Sequence, residues 1–117
     1  MRHWDDWQAY CQSKLAQIMM TFDLAKAIRD TGVSVNALHP ASLMPTKMVV
    51  GRFGVQSRLE EGVRNTVRLI ADPALAGVSG RYFNQSQEAK AHPQAYDATA
   101  RTCLRELSQE LCGRASR

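Results

Sequence analysis

Tyr10-Cys11-Gln12-Ser13-Lys14 opens an apolar, helix-patterned stretch, and Val33-Ser34-Val35-Asn36-Ala37-Leu38-His39-Pro40 follows it. Four residues along an α-helix leave two side chains about 40° apart around the axis and about 6 Å apart along it. Tyr10 and Lys14 therefore share one face. An ammonium beside a phenol hydroxyl favours the phenolate. That matters because a free tyrosine titrates near ~10, too high to trade protons freely at neutral pH. Two charges ~4 Å apart at an effective dielectric of ~20 interact by about 4 kcal/mol. At ~1.4 kcal/mol per pKa unit this is up to about three units, less where the pair is exposed. The same spacing is also common on helices that catalyse nothing, so the pair by itself marks a candidate acid/base.

Working outward, residues 8–30 read as one long helix. Leu15, Ile18, Met19, Phe22, Ala25 and Ile28 recur at three- and four-residue spacing. Met20 and Leu24 widen the apolar surface beyond one stripe, so the helix needs covering on more than one side. Gly32 is placed to cap it, because glycine tolerates the left-handed conformation. Residues 33–38 alternate as a short strand that Pro40 ends. Helix, glycine and strand in that order make half of a βα repeat.

Residues 41–58 have no period. Pro45, Gly51 and Gly54 interrupt them, and Met44, Met48, Val49, Val50 and Phe53 are apolar. Such a segment suits a flap over a site or a loop packed on the core. Residues 59–70 read as a second helix, with Leu59, Val63, Val67 and Ile70 on one face. Asp72-Pro73 stops it. Gly77-Val78-Ser79-Gly80 is a turn and Arg81-Tyr82-Phe83 a short strand. Residues 95–112 read as a third helix, with Ala100, Leu104, Leu107 and Leu111 in a stripe and Gly113 as its cap.

The order and spacing of these signals over residues 9–46 resemble the short-chain dehydrogenase/reductase family. That family carries Tyr-x-x-x-Lys, often with a serine before the lysine, then a helix, a Gly-Val-x-Val-Asn strand and a Pro-Gly turn. Gly80-Arg81-Tyr82-Phe83 also fits its C-terminal end. The resemblance implies an NAD- or NADP-dependent oxidoreductase that moves hydride between a nicotinamide cofactor and a carbonyl or alcohol substrate. It implies that Tyr10 exchanges the proton with the substrate oxygen. It implies that Lys14 favours the ionised phenol and binds the nicotinamide ribose. Ser13 belongs to the motif but is not the family's catalytic serine. The turn Pro40-Ala41 stands where Pro-Gly is usual, and alanine is the smallest replacement for a glycine that admits close backbone approach. Ser42 or Leu43 would offer backbone to the carboxamide. Thr46 would take the place of a cofactor-binding threonine, although it lies six positions after Pro40 where the family has five.

The resemblance covers nearly all of this chain but only the C-terminal two fifths of a family member. The expected fold is α/β, the C-terminal part of a Rossmann-like doubly wound parallel sheet. About three helices and two short strands would form a single partial domain over residues 1–117. No Thr-Gly-x-x-x-Gly-x-Gly turn precedes Tyr10, and the Asn-Asn-Ala-Gly segment and the catalytic serine are also missing. In a dinucleotide fold the glycine turn brings backbone amides to the pyrophosphate. Without these parts the chain by itself is expected to be incompetent in catalysis, and to need either a missing N-terminal half or a second copy. The alternative is a non-catalytic dimerisation module that uses the helix over residues 8–30.

Composition bounds the remaining classes. The 117 residues hold 44% hydrophobic and 22% charged residues, the balance of one soluble globular unit. No run approaches ~18 apolar residues, so no membrane helix is expected. The start of the chain lacks the apolar core of a signal peptide. Cys11, Cys103 and Cys112 lack metal-site spacing and are expected as reduced thiols in the cytoplasm. His3, His39 and His92 are scattered and form no metal-binding pattern. The formal charge of +4 is dispersed rather than clustered with aromatic residues, so no nucleic-acid partner is expected.

Overall fold

Asp5 begins the first helix. Its carboxylate accepts the backbone N–H groups of Trp7 at 2.9 Å and Gln8 at 3.3 Å, satisfying two of the donors that a helix start leaves open. Helix α1 then runs Asp6–Ala27. The computed structural model describes residues 5–40 and 59–115. Met19 and Ala25 of α1 are buried, while Leu15, Ile18, Phe22 and Ile28 are half-buried. Met20 and Leu24 are exposed, so the apolar surface is wider than the covered face. The helix stops at Ile28, earlier than the periodicity suggests. Asp30 takes φ 69° and Gly32 φ 80°, so the reversal spreads over two left-handed residues and Gly32 lies beyond the cap. Thr31 Oγ1 donates to the Ile28 carbonyl at 2.6 Å and holds the turn.

Among the described residues, three strands form one sheet in the order β1 (Ala37–His39), β2 (Tyr82–Asn84), β3 (Gln87–Ala89). β1 and β2 are parallel, with Leu38 opposite Phe83; β2 and β3 are antiparallel, with Phe83 opposite Glu88. Two strands were expected, and the third is the correction. It closes a two-residue hairpin in which Gln85 adopts φ 58° without being glycine. β1 also starts later than the alternation suggests. The Val35 N–H donates to Ser79 Oγ at 3.0 Å, and the Gly80 N–H donates to the Val35 carbonyl at 2.8 Å. The Asn36 side chain bridges the Val78 carbonyl at 3.0 Å and the Arg81 N–H at 3.1 Å. Backbone and side-chain bonds thus share the connection over these residues.

Helix α2 (Leu59–Ala71) lies in the crossover from β1 to β2. Its apolar stripe does not face the described core: Leu59, Val63, Val67 and Ile70 are 51–82% exposed. Gly62 and Asn65 are its buried residues instead. After α2, Asp72 caps a 3-10 turn at Pro73–Leu75. Helix α3 (Ala98–Ala115) starts three residues later than expected, because Pro93–Tyr96 forms a 3-10 turn of its own. Asp97 accepts from the Thr99 N–H at 2.9 Å and the Ala100 N–H at 3.3 Å, the contacts of an N-cap. Gly113 lies inside this helix and does not end it. Ala100 and Leu104 are half-buried, whereas Leu107 and Leu111 at the far end are exposed.

Charge and aromatic contact join α3 to α1. Asp23 accepts from Arg101 Nε at 2.9 Å and from Arg105 at 2.7 Å, and Arg101 also donates to the Ala95 carbonyl at 2.9 Å. The Phe22 and Tyr96 rings lie 5.1 Å apart. Asp23 and Arg101 expose only 17% and 14% of their side chains, so solvent screens this pair poorly. Asp23→Ala leaves a mostly buried guanidinium without its carboxylate and is expected to cost about 2–3 kcal/mol. Arg105→Ala, at the half-exposed arm, is expected to cost ~1 kcal/mol or less. Urea denaturation of both variants checks the ranking; equal costs would contradict it.

The core of the described residues is small: Met19, Ala25, Phe83 and Ala95 are its buried apolar residues. Gly80 closes the approach of α1 to the sheet. A Cβ there would sit 3.4 Å from that of Ala25, on a residue with φ 71°. Burial, with a smaller contribution from the neighbouring Tyr96 phenol, raises the Tyr82 pKa above its ordinary value of 10.0. The fold therefore favours the neutral phenol. That contribution is fully present below the unfolded value and is lost as pH rises through the folded one. Tyr82→Phe is expected to flatten the loss of stability above pH ~10, read from denaturation midpoints on either side of it. An unchanged alkaline slope would contradict the assignment.

Candidate active site

Tyr10 and Lys14 sit in the first half of α1 and both are exposed, Tyr10 at 42%. The Lys14 ammonium lies over the Tyr10 ring, 5.5 Å from its centroid. This is the one-face arrangement that the four-residue spacing dictates, with the positive charge against the negative face of the ring. Trp7 stacks on the same ring, with centroids 5.7 Å apart and planes 17° from parallel. Ser13 turns back on the helix, its hydroxyl donating to the Tyr10 carbonyl at 2.7 Å. Among these contacts the Tyr10 ring is fixed by its helical neighbours, and a phenol beside an ammonium at an exposed surface can donate to a hydroxyl-bearing ligand.

Helix α1 leads into β1, and in an α/β unit such a helix runs back along the sheet, so that its first turns stand toward the carboxyl end of the strand. That is the end of a parallel α/β sheet where ligands bind. Gly32, Gly77 and Gly80, which take positive φ, precede β1 and β2 and so lie at the opposite end.

Of the residues singled out in the sequence, the structure describes Tyr10, Lys14 and Pro40. Ala41, Ser42, Leu43 and Thr46, with the whole of the expected substrate loop over residues 41–58, lie outside the described residues. Pro40 is half-buried, and its carbonyl accepts a hydrogen bond from Asn65 Nδ2 at 2.7 Å. Trp7 and Asn65 are the neighbours that sequence reasoning missed. Trp7 was legible, standing three residues before Tyr10 where side chains meet on a helix. Asn65 had no local signal, because its partner is 25 positions away.

A parallel strand pair joined by a helical crossover, with a long helix leading into its first strand, defines an α/β fold consistent with part of a Rossmann-like domain. No family model and no solved structure matches the chain. Curated proteins do. The chain is similar to retinol dehydrogenase 14 of Homo sapiens, 32% identical over 89% of this chain and 35% of that protein. It is also similar to a probable oxidoreductase of Streptomyces antibioticus, 30% identical over 97% of this chain and 44% of that protein. Retinol dehydrogenase 13 of Mus musculus is 32% identical over 97% of this chain and 38% of its own length. The chain thus spans well under half the length of these relatives. It belongs to the short-chain dehydrogenase/reductase family.

Proposed function

We propose that this chain supplies the acid/base end of an NAD- or NADP-dependent oxidoreductase acting on a carbonyl or alcohol. One observation carries the reading: Lys14 is held against Tyr10 on an exposed face of α1. When bound, the nicotinamide would supply or accept the hydride. Tyr10 would give its proton to the substrate oxygen in reduction and take it back in oxidation. Lys14 would favour the ionised phenol and donate to the ribose hydroxyls. The relatives named for retinol support an alcohol or its carbonyl as the substrate class.

The described residues fit one end of the cofactor. A phenol and an ammonium side by side suit a ribose and a reacting carbonyl. No described glycine turn stands at the carboxyl end of the strands to receive a pyrophosphate. The chain alone is therefore proposed to be a poor binder and a poor catalyst. Fluorescence titration with NADH and NADPH tests this. Dissociation constants above ~1 mM are expected for the chain alone; submillimolar binding would contradict the proposal.

A second reading has its own support. Trp7, Met20 and Leu24 on α1, with the α2 stripe, leave apolar surface open to a second copy of the chain or to the remainder of a larger α/β domain. Sedimentation velocity separates the two: a stable dimer without cofactor binding favours an association module. Cys11, Cys103 and Cys112 are exposed and not in disulfides, which suits a reducing compartment, in keeping with a cytoplasmic protein. No helix among the described residues is long and apolar enough to cross a membrane.

A further inference from the structure

We propose that Asn65 is a positioning residue that fixes the carboxyl end of β1. Its side chain is 6% exposed, and it is the buried polar residue of the described structure. Burying an amide is costly unless its hydrogen bonds are made. Asn65 meets this by donating through Nδ2 to the Pro40 carbonyl at 2.7 Å. Pro40 directly follows β1, and proline has no N–H of its own. The neighbouring His39 carbonyl accepts from the Gln85 N–H at 2.7 Å, so the β2–β3 hairpin holds His39 while α2 holds Pro40.

The contact is specific rather than generally adhesive. Leu59, Val63, Val67 and Ile70 of α2 are exposed and Leu69 is half-buried, and the residues the helix buries are Gly62 and Asn65. An anchor serving packing alone would be met by an apolar residue of the same volume, which costs no desolvation. An amide instead sets a direction and a distance. Because a peptide unit is planar, fixing the Pro40 carbonyl also fixes the plane of the bond that leads out of the strand. Where a site requires placement within about 1 Å, such a constraint is worth about a hundredfold in rate.

The meaning of that placement rests on the oxidoreductase reading; the hydrogen bond does not. The test is NMR on the full 117-residue chain carrying Asn65→Leu, which keeps the volume and removes the donor. Asn65→Asp, which replaces only the donating amide, serves as the second variant if the first does not fold. In both, the Pro40 carbonyl 13C resonance is expected to move upfield. Amide exchange at the end of β1 is expected to quicken about tenfold while α1 and α3 stay unchanged. An unmoved Pro40 resonance would overturn the proposal. So would changes spread evenly through α1 and α3, the mark of a scaffold role. Hydride transfer by the chain completed with a cofactor-binding N-terminal portion addresses the oxidoreductase reading separately, and its failure would leave the Asn65 result standing.

Discussion

Phe83→Ala is expected to destabilise the chain by about 3–4 kcal/mol, enough to remove most of the stability of a domain this small. Phe83 is 2% exposed and sits on β2, the central strand, opposite Leu38 on one side and Glu88 on the other. Truncation removes the largest buried apolar side chain among four. It leaves a cavity that the short strands flanking it are poorly able to close. Urea denaturation followed by far-ultraviolet circular dichroism measures the loss. A cost below about 1 kcal/mol would mean that the central strand is not covered in solution.

In the chain completed by a cofactor-binding N-terminal portion, Tyr10→Phe is expected to leave the fold intact and remove the chemistry. The ring contacts survive, since Trp7 stacks on the ring and Lys14 lies over it. Only the hydroxyl is lost, at an exposed position where its absence creates no cavity. Removal of a positioned proton donor costs about 10²–10⁴-fold in rate. Lys14→Met is expected to lose activity as well. It removes the ammonium proposed to donate to the ribose hydroxyls.

The elements legible in the sequence are those whose signals are local. Leu59–Ala71 emerged as a helix within one residue of its expected end, because Asp72-Pro73 stops it in the sequence itself. The Tyr10/Lys14 pairing follows from helical geometry, so four positions were enough to foresee it. The misses share a tertiary cause. Gln87–Ala89 is polar, and its turn uses Gln85 at φ 58° where a glycine or asparagine would have announced a hairpin. Val33 and Ser34 look like strand, yet the turn at residues 78–81 diverts the following residues into side-chain contacts. The α2 stripe reads as a core face, but nothing described covers it, and the buried side is the one carrying Asn65. No periodicity rule finds a buried amide whose partner is a carbonyl 25 residues earlier.

Hydride transfer is the most direct test of the central claim, that Tyr10 and Lys14 are the acid/base pair of an oxidoreductase. The chain matches 35% of human retinol dehydrogenase 14, so the assay uses the chain alone and the chain joined to the N-terminal portion of that relative. NADH and NADPH are offered with a carbonyl panel that includes retinal. No turnover is expected from the chain alone. Turnover is expected from the joined protein, falling about 10²–10⁴-fold with Tyr10→Phe. Turnover in the joined protein that Tyr10→Phe leaves unchanged would contradict the role of the pair, and turnover by the chain alone that Tyr10→Phe abolishes would contradict its dependence on the remaining fold.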